Sequence, residues 1–482
     1  MRRATPRLAF RARQSEKPRM RSRVTAVDPA MGRELELEIE RLVHGPGALA
    51  RADDGRVVLL DEGLPGECVR ARVVEARRDF LRARVVRVLA SPPEAGRRTP
   101  PCSIVALCGG CPWQPLAYER QLVEKEAVVL REIERGTGAR PGAILPAIVG
   151  DEWRTRSRIR LAVARVAGSP TVGYRGRASH DVVGVDDCVI ARAELVAALP
   201  LVRELGGAVP SLREVEVLVD DEAAVRLLGI SASAVPIEAE PLLARLTASG
   251  ESALGEAHLA GLRLEAAARH GARPREKGRG STREPWAREA GDIEQRLEVA
   301  PGVVLHVPIG VFTQVNGTLN RSLVAAVTEA VGAVAGEEIV DLYCGAGNFS
   351  LPLAQAGARV VGIDADARAV RAAAASAARL ALAERTSFTV LRAEAGGLEA
   401  ALPERPACVV LDPPRAGAAA ALPALLARRP DRIVYVSCDV ATFARDARGL
   451  RAGGYELSSV RLIDLTPQTF RAELMGVFRL TW

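Results

Sequence analysis

The chain has 482 residues, 48% of them hydrophobic and 26% charged, which supports real cores and is long enough for about three domains. Its formal charge of +7 admits a nucleic-acid partner without requiring one. No uninterrupted apolar run reaches the ~20 residues a membrane helix needs, and its 8 cysteines stand in a chain without an apolar export signal, which excludes a disulfide scaffold.

Residues 1–32 begin with a crowd of arginines (Arg2, Arg3, Arg7, Arg11, Arg13, Arg19, Arg21, Arg23) and read as a disordered basic arm that could tether RNA. An over-extended start, with Met20 or Met31 as the first residue, is an equal reading. Residues 33–92 are expected to form a small β-barrel. Val69-Arg70-Ala71-Arg72-Val73 and Leu81-Arg82-Ala83-Arg84-Val85 alternate apolar and basic residues as half-buried strands do, and Asp53-Asp54-Gly55 supplies a hairpin turn. With Leu64-Pro65-Gly66-Glu67 this segment resembles a TRAM domain, an OB-like barrel, whose outward Arg70, Arg72, Arg82 and Arg84 would track a phosphate backbone or simply form a solvated face.

Residues 93–308 are expected to form a central domain. Cys102, Cys108 and Cys111, the last two in a Cys-Gly-Gly-Cys core, are joined far downstream by Cys188. Four thiols in that arrangement suggest a metal site, and spacing alone leaves zinc and iron–sulfur both open. Cys68, Cys344 and Cys408 stand in apolar surroundings and read as core residues. In Trp153–Arg160, a strand would project Arg154, Arg156, Arg158 and Arg160 from one face at about 6.8 Å steps, a match for a polyanion. Arg269–Asp292 mixes Gly, Pro and charge and reads as a flexible insertion.

Residues 309–482 hold short β-branched runs between Ala/Leu-rich helical segments, the pattern of an open parallel sheet whose ligands sit beyond the carboxyl ends of its strands. One run breaks at the Gly345-x-Gly347 turn, the next ends in Asp364, suited to ribose hydroxyls, and a third breaks at Asp412-Pro413-Pro414-Arg415. The first two features fit NAD and S-adenosylmethionine about equally. The acid-Pro-Pro turn favours S-adenosylmethionine, because many nucleic-acid-modifying methyltransferases carry one there. The run Val434–Ser437 delivers Cys438 to a strand end that opens into a helix over Ala441–Leu450, a place where a helix N-terminus would lower the thiol pKa.

Taken in order and spacing, Phe312-Thr313-Gln314-Val315-Asn316, Asp341 to Phe349, Asp412 to Gly417, Ser437-Cys438-Asp439 through Arg445-Asp446, and Asp464 to Glu473 resemble the RNA (uracil-5-)-methyltransferases, in particular the ribosomal RNA branch. With the barrel and the cysteines the resemblance runs from about residue 33 to the end. It implies an α/β protein with a C-terminal Rossmann-like S-adenosylmethionine-dependent methyltransferase domain, an N-terminal OB-like TRAM barrel and a central α+β iron–sulfur domain. The implied cofactor contacts are Gln314, Tyr343, Gly345, Gly347, Asn348, Asp364 and Asp412. Cys102, Cys108, Cys111 and Cys188 would hold a [4Fe–4S] cluster, and Arg158 and Arg160 align with the family's basic run near the target base. The implied enzyme is a cytoplasmic monomer acting on RNA, 23S ribosomal RNA foremost.

The chemistry follows independently of the resemblance. Uracil C5 is a poor nucleophile, so a thiolate must add to C6 to push electrons to C5, and a separate base must then remove the C5 proton. Cys438 is the thiol; the resemblance makes Glu473 the base. The chain departs from the family pattern at Thr466 and Arg471, where Phe and His are usual, and at Asp439-Val440, where Asn-Pro is usual. The polar residue held near the adenine falls around Arg392–Glu394 without an obvious match. A radical S-adenosylmethionine enzyme would need a tight three-cysteine motif and would leave Cys438 and Glu473 idle. RNA 5-methylcytosine enzymes carry two catalytic cysteines, an arrangement not seen here. A transfer RNA enzyme of the same family, which generally lacks barrel and cluster, and a non-catalytic RNA-binding or ribosome-assembly protein are the alternatives.

Overall fold

The computed structural model describes residues 30–481 apart from 167, 178, 235–237, 251–253, 267–285 and 394–396. The basic arm thus lies outside the described residues except for its last three. Strands β1 (Glu34–Leu42), β2 (Ala48–Arg51), β3 (Val57–Leu60), β4 (Cys68–Ala76) and β5 (Phe80–Ala90) close a barrel in the order β1-β2-β3-β5-β4. Period-two alternation sends Val69, Ala71, Val73, Leu81 and Ala83 into its core. The intervening arginines face out, but each meets an acid: Arg70 with Glu36 at 2.5 Å, Arg72 with Glu34 at 2.8 Å, Arg82 with Glu75 at 3.3 Å and Arg84 with Asp61 at 3.6 Å. The face expected to track phosphate is a lattice of ion pairs.

After the first three cysteines come α1 (Tyr118–Thr137) and β6 (Ala143–Ile148). The central sheet follows with β7 (Arg158–Val166), β8 (Ser169–Arg175) and β9 (Val182–Gly184), the helices α2 (Ala193–Ala197) and α3 (Leu199–Ala208), then β10 (Leu212–Val219), β11 (Ala224–Ser231), α4 (Ala239–Gly250), β12 (His258–Ala266) and β13 (Ala287–Gly291). Its strand order is β13-β12-β11-β10-β7-β8-β9. Leu201, Leu205, Leu242 and Leu246, spaced to share helix faces, pack on Val215, Val217, Val225 and Leu227, and each such side chain buried contributes about 1.5–3 kcal/mol. Strand β13 corrects part of the expected insertion, because residues 287–291 pair with β12 as an edge strand.

The arginine run is also corrected. Only Arg158 and Arg160 lie on a strand; Arg154 sits before it in the left-handed region at φ 56°, so the four side chains share no face. Arg154 donates instead to Asp187 (2.8 and 3.1 Å) and to the carbonyl of Cys188 (3.0 Å), fastening the cysteine loop.

The hairpin β14 (Glu294–Ala300) and β15 (Val303–Pro308) precedes α5 (Gly317–Val331), capped by Asn316, whose Oδ1 accepts from Leu319 N at 3.2 Å. The last layer alternates β16 (Glu338–Leu342), α6 (Ser350–Gln355), β17 (Arg359–Asp364), α7 (Ala367–Arg379), β18 (Thr386–Val390), α8 (Leu398–Ala401), β19 (Cys408–Leu411), α9 (Leu422–Arg428), β20 (Arg432–Ser437), α10 (Val440–Ala452), β21 (Tyr455–Ile463) and β22 (Glu473–Leu480). The sheet runs β18-β17-β16-β19-β20-β22-β21-β6, with β16 to β20 parallel and β22 antiparallel to both neighbours. Helices on both faces explain why its parallel strands read as unbroken apolar runs. Two pieces of the expected 93–308 unit belong to this layer: β6 pairs with β21, and α1 crosses α10 so closely that a Cβ on Gly136 would sit 2.7 Å from that of Ala444. The chain leaves β16 on one side for β17 and β18 and returns on the other for β19 and β20. That reversal opens a crevice beyond the strand ends.

Candidate active site

The crevice is a cavity of about 1060 Å³, lined among others by Gln314, Tyr343, Gly345, Asn348, Asp364, Asp412, Cys438 and Glu473. Its floor is built by the turn after β16. Tyr343 (φ 68°), Gly345 (φ 53°) and Gly347 (φ 93°) all take the left-handed region, which bends the chain sharply into α6. Tyr343 N donates to Ile363 O (2.8 Å) and Gly345 N to Asp364 Oδ2 (2.9 Å), so the turn is tied to the end of the next strand. Gly347 lies just behind the lining, where a Cβ would meet Leu351 Cγ at 3.1 Å. Asn348 and Asn320 exchange amide hydrogen bonds (2.8 and 3.0 Å), joining the turn to α5, and Gln314 Nε2 lies 3.5 Å from Asp412 Oδ2. Glu394 is outside the described residues, while Arg392 lines the cavity.

The thiol and the acid come together through strand register. Ser437 at the end of β20 pairs with Leu474 on antiparallel β22, so the next step places Cys438 across from Glu473. Residues directly opposite on neighbouring strands share a face with Cβ atoms about 4.5–5.5 Å apart. The Asp-Pro-Pro-Arg turn is brought to the same spot by Asp446, fully buried on α10. Its carboxylate accepts from Tyr435 Oη (2.8 Å), Ala418 N (2.7 Å) and Arg445 Nε (2.8 Å), binding the turn, β20 and the helix after Cys438 into one piece. Asp439 caps that helix by accepting from Thr442 N at 2.9 Å, and His44 Nε2, reaching over from the barrel, lies 3.6 Å from its Oδ2.

Three buried acids crowd together at the cavity floor. Asp341, buried beneath the turn with Ser350 Oγ donating at 2.5 Å, is pushed up to about 7 by burial. Burial and Asp341 push Asp412 up to about 7, and burial followed by Asp412 raises Glu473 well above the usual carboxylate range. The expected lowering of the Cys438 thiol is not found. Burial, Glu473 and Asp412 push it up to about 11, outweighing Arg415. Of the arginines that line the same cavity, Arg156, Arg415 and Arg471 stand apart. Among the described residues none of the three guanidinium groups has a carboxylate within ion-pair distance, as neighbouring arginines such as Arg154 and Arg158 do. Burial and the charges of Arg415 and Arg156 hold Arg471 below the usual guanidinium range. Arg158 also lines the cavity, stacked over Phe312 with 5.1 Å to the ring centre and paired to Glu216 at 3.2 Å. Arg160 points elsewhere, 3.7 Å from Glu216. Arg471 lies over the Phe470 ring, 5.5 Å from its centre. Arg415 stood in plain sight in the sequence motif and Arg471 as a departure from pattern, but nothing local revealed that both lack a carboxylate partner.

Cys102, Cys108, Cys111 and Cys188 line a second, small cavity with Gln114 and Tyr174. Among the described residues no group of three or more His, Cys, Asp or Glu side chains is arranged as a metal-ion site. The buried Tyr174 hydroxyl and Gln114 Oε1 have no hydrogen-bond partner there. Cys344 and Cys408 are buried core residues as expected; Cys68, at the start of β4, is partly exposed.

Comparison with known proteins converges on one family. Residues 287–479 match the family model described as tRNA (uracil-5-)-methyltransferase, and residues 31–86 match the TRAM domain. The 23S rRNA (uracil(1939)-C(5))-methyltransferase RlmD of Pseudomonas aeruginosa UCBPP-PA14 is 32% identical over 453 residues, covering 93% of this chain and 94% of that protein. Its namesake from Pseudomonas putida KT2440 is 33% identical over 458 residues, with 93% and 94% covered. The crystal structure of Pyrococcus abyssi tRNA (uracil-54, C5)-methyltransferase with S-adenosyl-L-homocysteine shares the fold, with a TM-score of 0.65 and 21% identity over 92% of this chain and 100% of that one.

Proposed function

This chain belongs to the RNA (uracil-5-)-methyltransferase family, and we propose that it uses S-adenosylmethionine to methylate C5 of a uridine in 23S ribosomal RNA, as a cytoplasmic monomer. The observation that carries the reading is the register that sets Cys438 against Glu473 at the mouth of the β16–β19 crevice. Relatives named for 23S rRNA align over 93% of the chain, barrel included, which favours ribosomal over transfer RNA.

In this reading the Cys438 thiolate forms a bond to uracil C6, and the ring electrons move to C5. S-adenosylmethionine would be held by Gln314, Tyr343, Gly345, Gly347, Asn348, Asp364 and Asp412 and would supply the methyl to which C5 bonds as the sulfonium S–C bond breaks and S-adenosylhomocysteine leaves; its positive sulfur would favour the ionised forms of the carboxylates around it. Glu473 then takes the C5 proton, the C6–S bond breaks and the thiolate leaves. A stacked uracil hides C5 and C6, so the base must enter flipped or from a loop. Arg156, Arg415 and Arg471, in the same cavity and without a carboxylate partner, are suited to the phosphates that flank the base, with Arg158 also on the cavity wall and Arg160 outside it, on the same strand.

The four cysteines fit a [4Fe–4S] cluster. They share one cavity without forming a single-ion site, and a cluster spreads its thiolates over four irons. The unpartnered Tyr174 hydroxyl and Gln114 lie where groups beside cluster sulfurs would be satisfied. The cluster's chemistry here is structural: it would brace a loop-rich segment.

The test is a covalent trap. Wild-type protein should form a denaturation-resistant adduct with RNA containing 5-fluorouracil, and Cys438→Ala should form none and make no 5-methyluridine while binding cofactor normally. Turnover and adduct both surviving in Cys438→Ala would overturn the mechanism.

A further inference from the structure

The loop that carries Glu473 into the cavity, residues 464–472, is fastened by the cysteine-bearing part of the chain. Gln468, at its centre, is fully buried and adopts φ 68°. Its backbone N donates to Gln121 Oε1 (2.9 Å), and its carbonyl accepts from Trp113 N (3.0 Å). Its side-chain Oε1 accepts from Gln121 Nε2 (2.9 Å) and Arg98 Nη2 (3.0 Å), and its Nε2 donates to Glu152 Oε2 (3.0 Å). Arg98 grips Glu152 in turn (3.2 and 2.8 Å), and Gln121 Nε2 also donates to Trp113 O (3.0 Å). At the start of the loop the buried Lys125 Nζ donates to Asp464 (2.5 Å) and to Thr466 O (3.2 Å). Trp113 is two residues beyond Cys111.

Glu473 and Cys438 are therefore mounted differently. Cys438 ends a central strand and is held by the Asp446 network, which involves no residue of the cysteine segment. Glu473 is the first residue of β22 and pairs with Ile463; the loop on its near side is held by Thr469 Oγ1, which accepts from Arg471 N (3.2 Å), and by the knot at Gln468.

We propose that the Gln468 side chain is a positioning residue for Glu473, tying the base-bearing loop to Arg98, Glu152 and Gln121, which flank the Cys102–Trp113 segment and hold its end at Trp113, so that the order of this knot sets where the carboxylate meets the substrate. The inference rests on the reading of Glu473 as the base. Breaking the knot slows proton removal and leaves thiol addition in place.

Gln468→Met keeps the volume and the backbone bonds to Gln121 and Trp113, and removes the side-chain contacts to Gln121, Arg98 and Glu152. Turnover should fall about tenfold or more, in keeping with the cost of a small misplacement of a reacting group, while the rate of 5-fluorouracil adduct formation stays within about twofold of wild type. A covalent complex with ordinary RNA should accumulate. Unchanged turnover, or addition and turnover falling together, overturns the proposal. Gln468→Glu sets a carboxylate against Glu152 and should be impaired in the same way; adding Glu152→Gln restores a donor opposite it and should rescue turnover. If Gln468→Met does not fold, absence of that rescue is decisive against the proposal. Glu473→Gln separates the two readings: normal turnover there removes the base, whereas a trapped complex there with no effect at Gln468 removes only the present inference.

Discussion

On the barrel, Arg70 faces Glu36 and Arg72 faces Glu34; in the cavity, Arg156, Arg415 and Arg471 face one another, and Asp412 faces Glu473. The barrel has the more conspicuous sequence pattern, four arginines in strict alternation, yet its charges are spent on neighbours across the strands. The cavity gathers its charges from four separate stretches of chain and leaves like beside like. An arginine is available to a phosphate only where no carboxylate already holds it, and unfavourable charge is stored where a substrate or cofactor of the opposite sign will sit.

The sharpest way to break this contrast is at Glu473. Glu473→Gln removes one of the two facing acids, and product formation should fall by about 10²–10⁴-fold, the usual worth of a general base. A covalent complex with unmodified RNA should build up on denaturing gels. Undiminished 5-methyluridine formation would reassign the base and leave the raised carboxylate without a role.

The arginines give a direct comparison of the two regions. Arg471→Ala should weaken RNA binding about tenfold and reduce the slope of log affinity against log salt by about one, as loss of one phosphate contact does. Replacing both Arg70 and Arg72 on the barrel should change affinity by no more than about twofold, because each already has an acid. A salt titration in which the barrel variant loses more than Arg471→Ala would invert the comparison.

The smallest effect is on stability. Asp412 is pushed up to about 7 by burial and Asp341, against the ordinary aspartate value of 3.8, so between these values the folded state holds a proton that the unfolded state has lost. Stability contributed by the neutral carboxyl is therefore lost as pH rises through that window. Asp412→Asn should raise the melting temperature of ligand-free protein by a few degrees at pH 8, with the gain fading toward pH 4, while cofactor affinity drops. A gain independent of pH would mean that Asp412 is not a buried charge.

Much of this was legible along the chain. The unbroken apolar runs at Ile339–Leu342, Val409–Leu411 and Val434–Ser437 announce a buried parallel sheet because both of its faces are covered, and their terminal turns announce the site because ligands gather at strand ends. The barrel was readable because alternation of period two has one physical meaning on a strand. The run Arg154–Arg160 was misread for the same reason: alternation implies a shared face only if every residue is extended, and Arg154 at φ 56° is not.

What the sequence alone supplied is the set of candidate groups. Cys438 at a strand end, a glycine turn and an Asp-Pro-Pro-Arg turn are read from residue type and near neighbours, and Glu473 from the resemblance of its motif. Tertiary structure alone decided the energetics. Whether an arginine is free depends on acids tens or hundreds of residues away. The Cys438 thiol is pushed up to about 11 because burial and two carboxylates from distant stretches of chain, Glu473 and Asp412, outweigh Arg415. Gln468 became a hub because Arg98, Trp113, Gln121 and Glu152 fold onto it from more than 300 residues earlier in the chain. Electrostatic and hydrogen-bond energies are set by distance in space, and a pattern along the chain carries that distance only within one element of secondary structure.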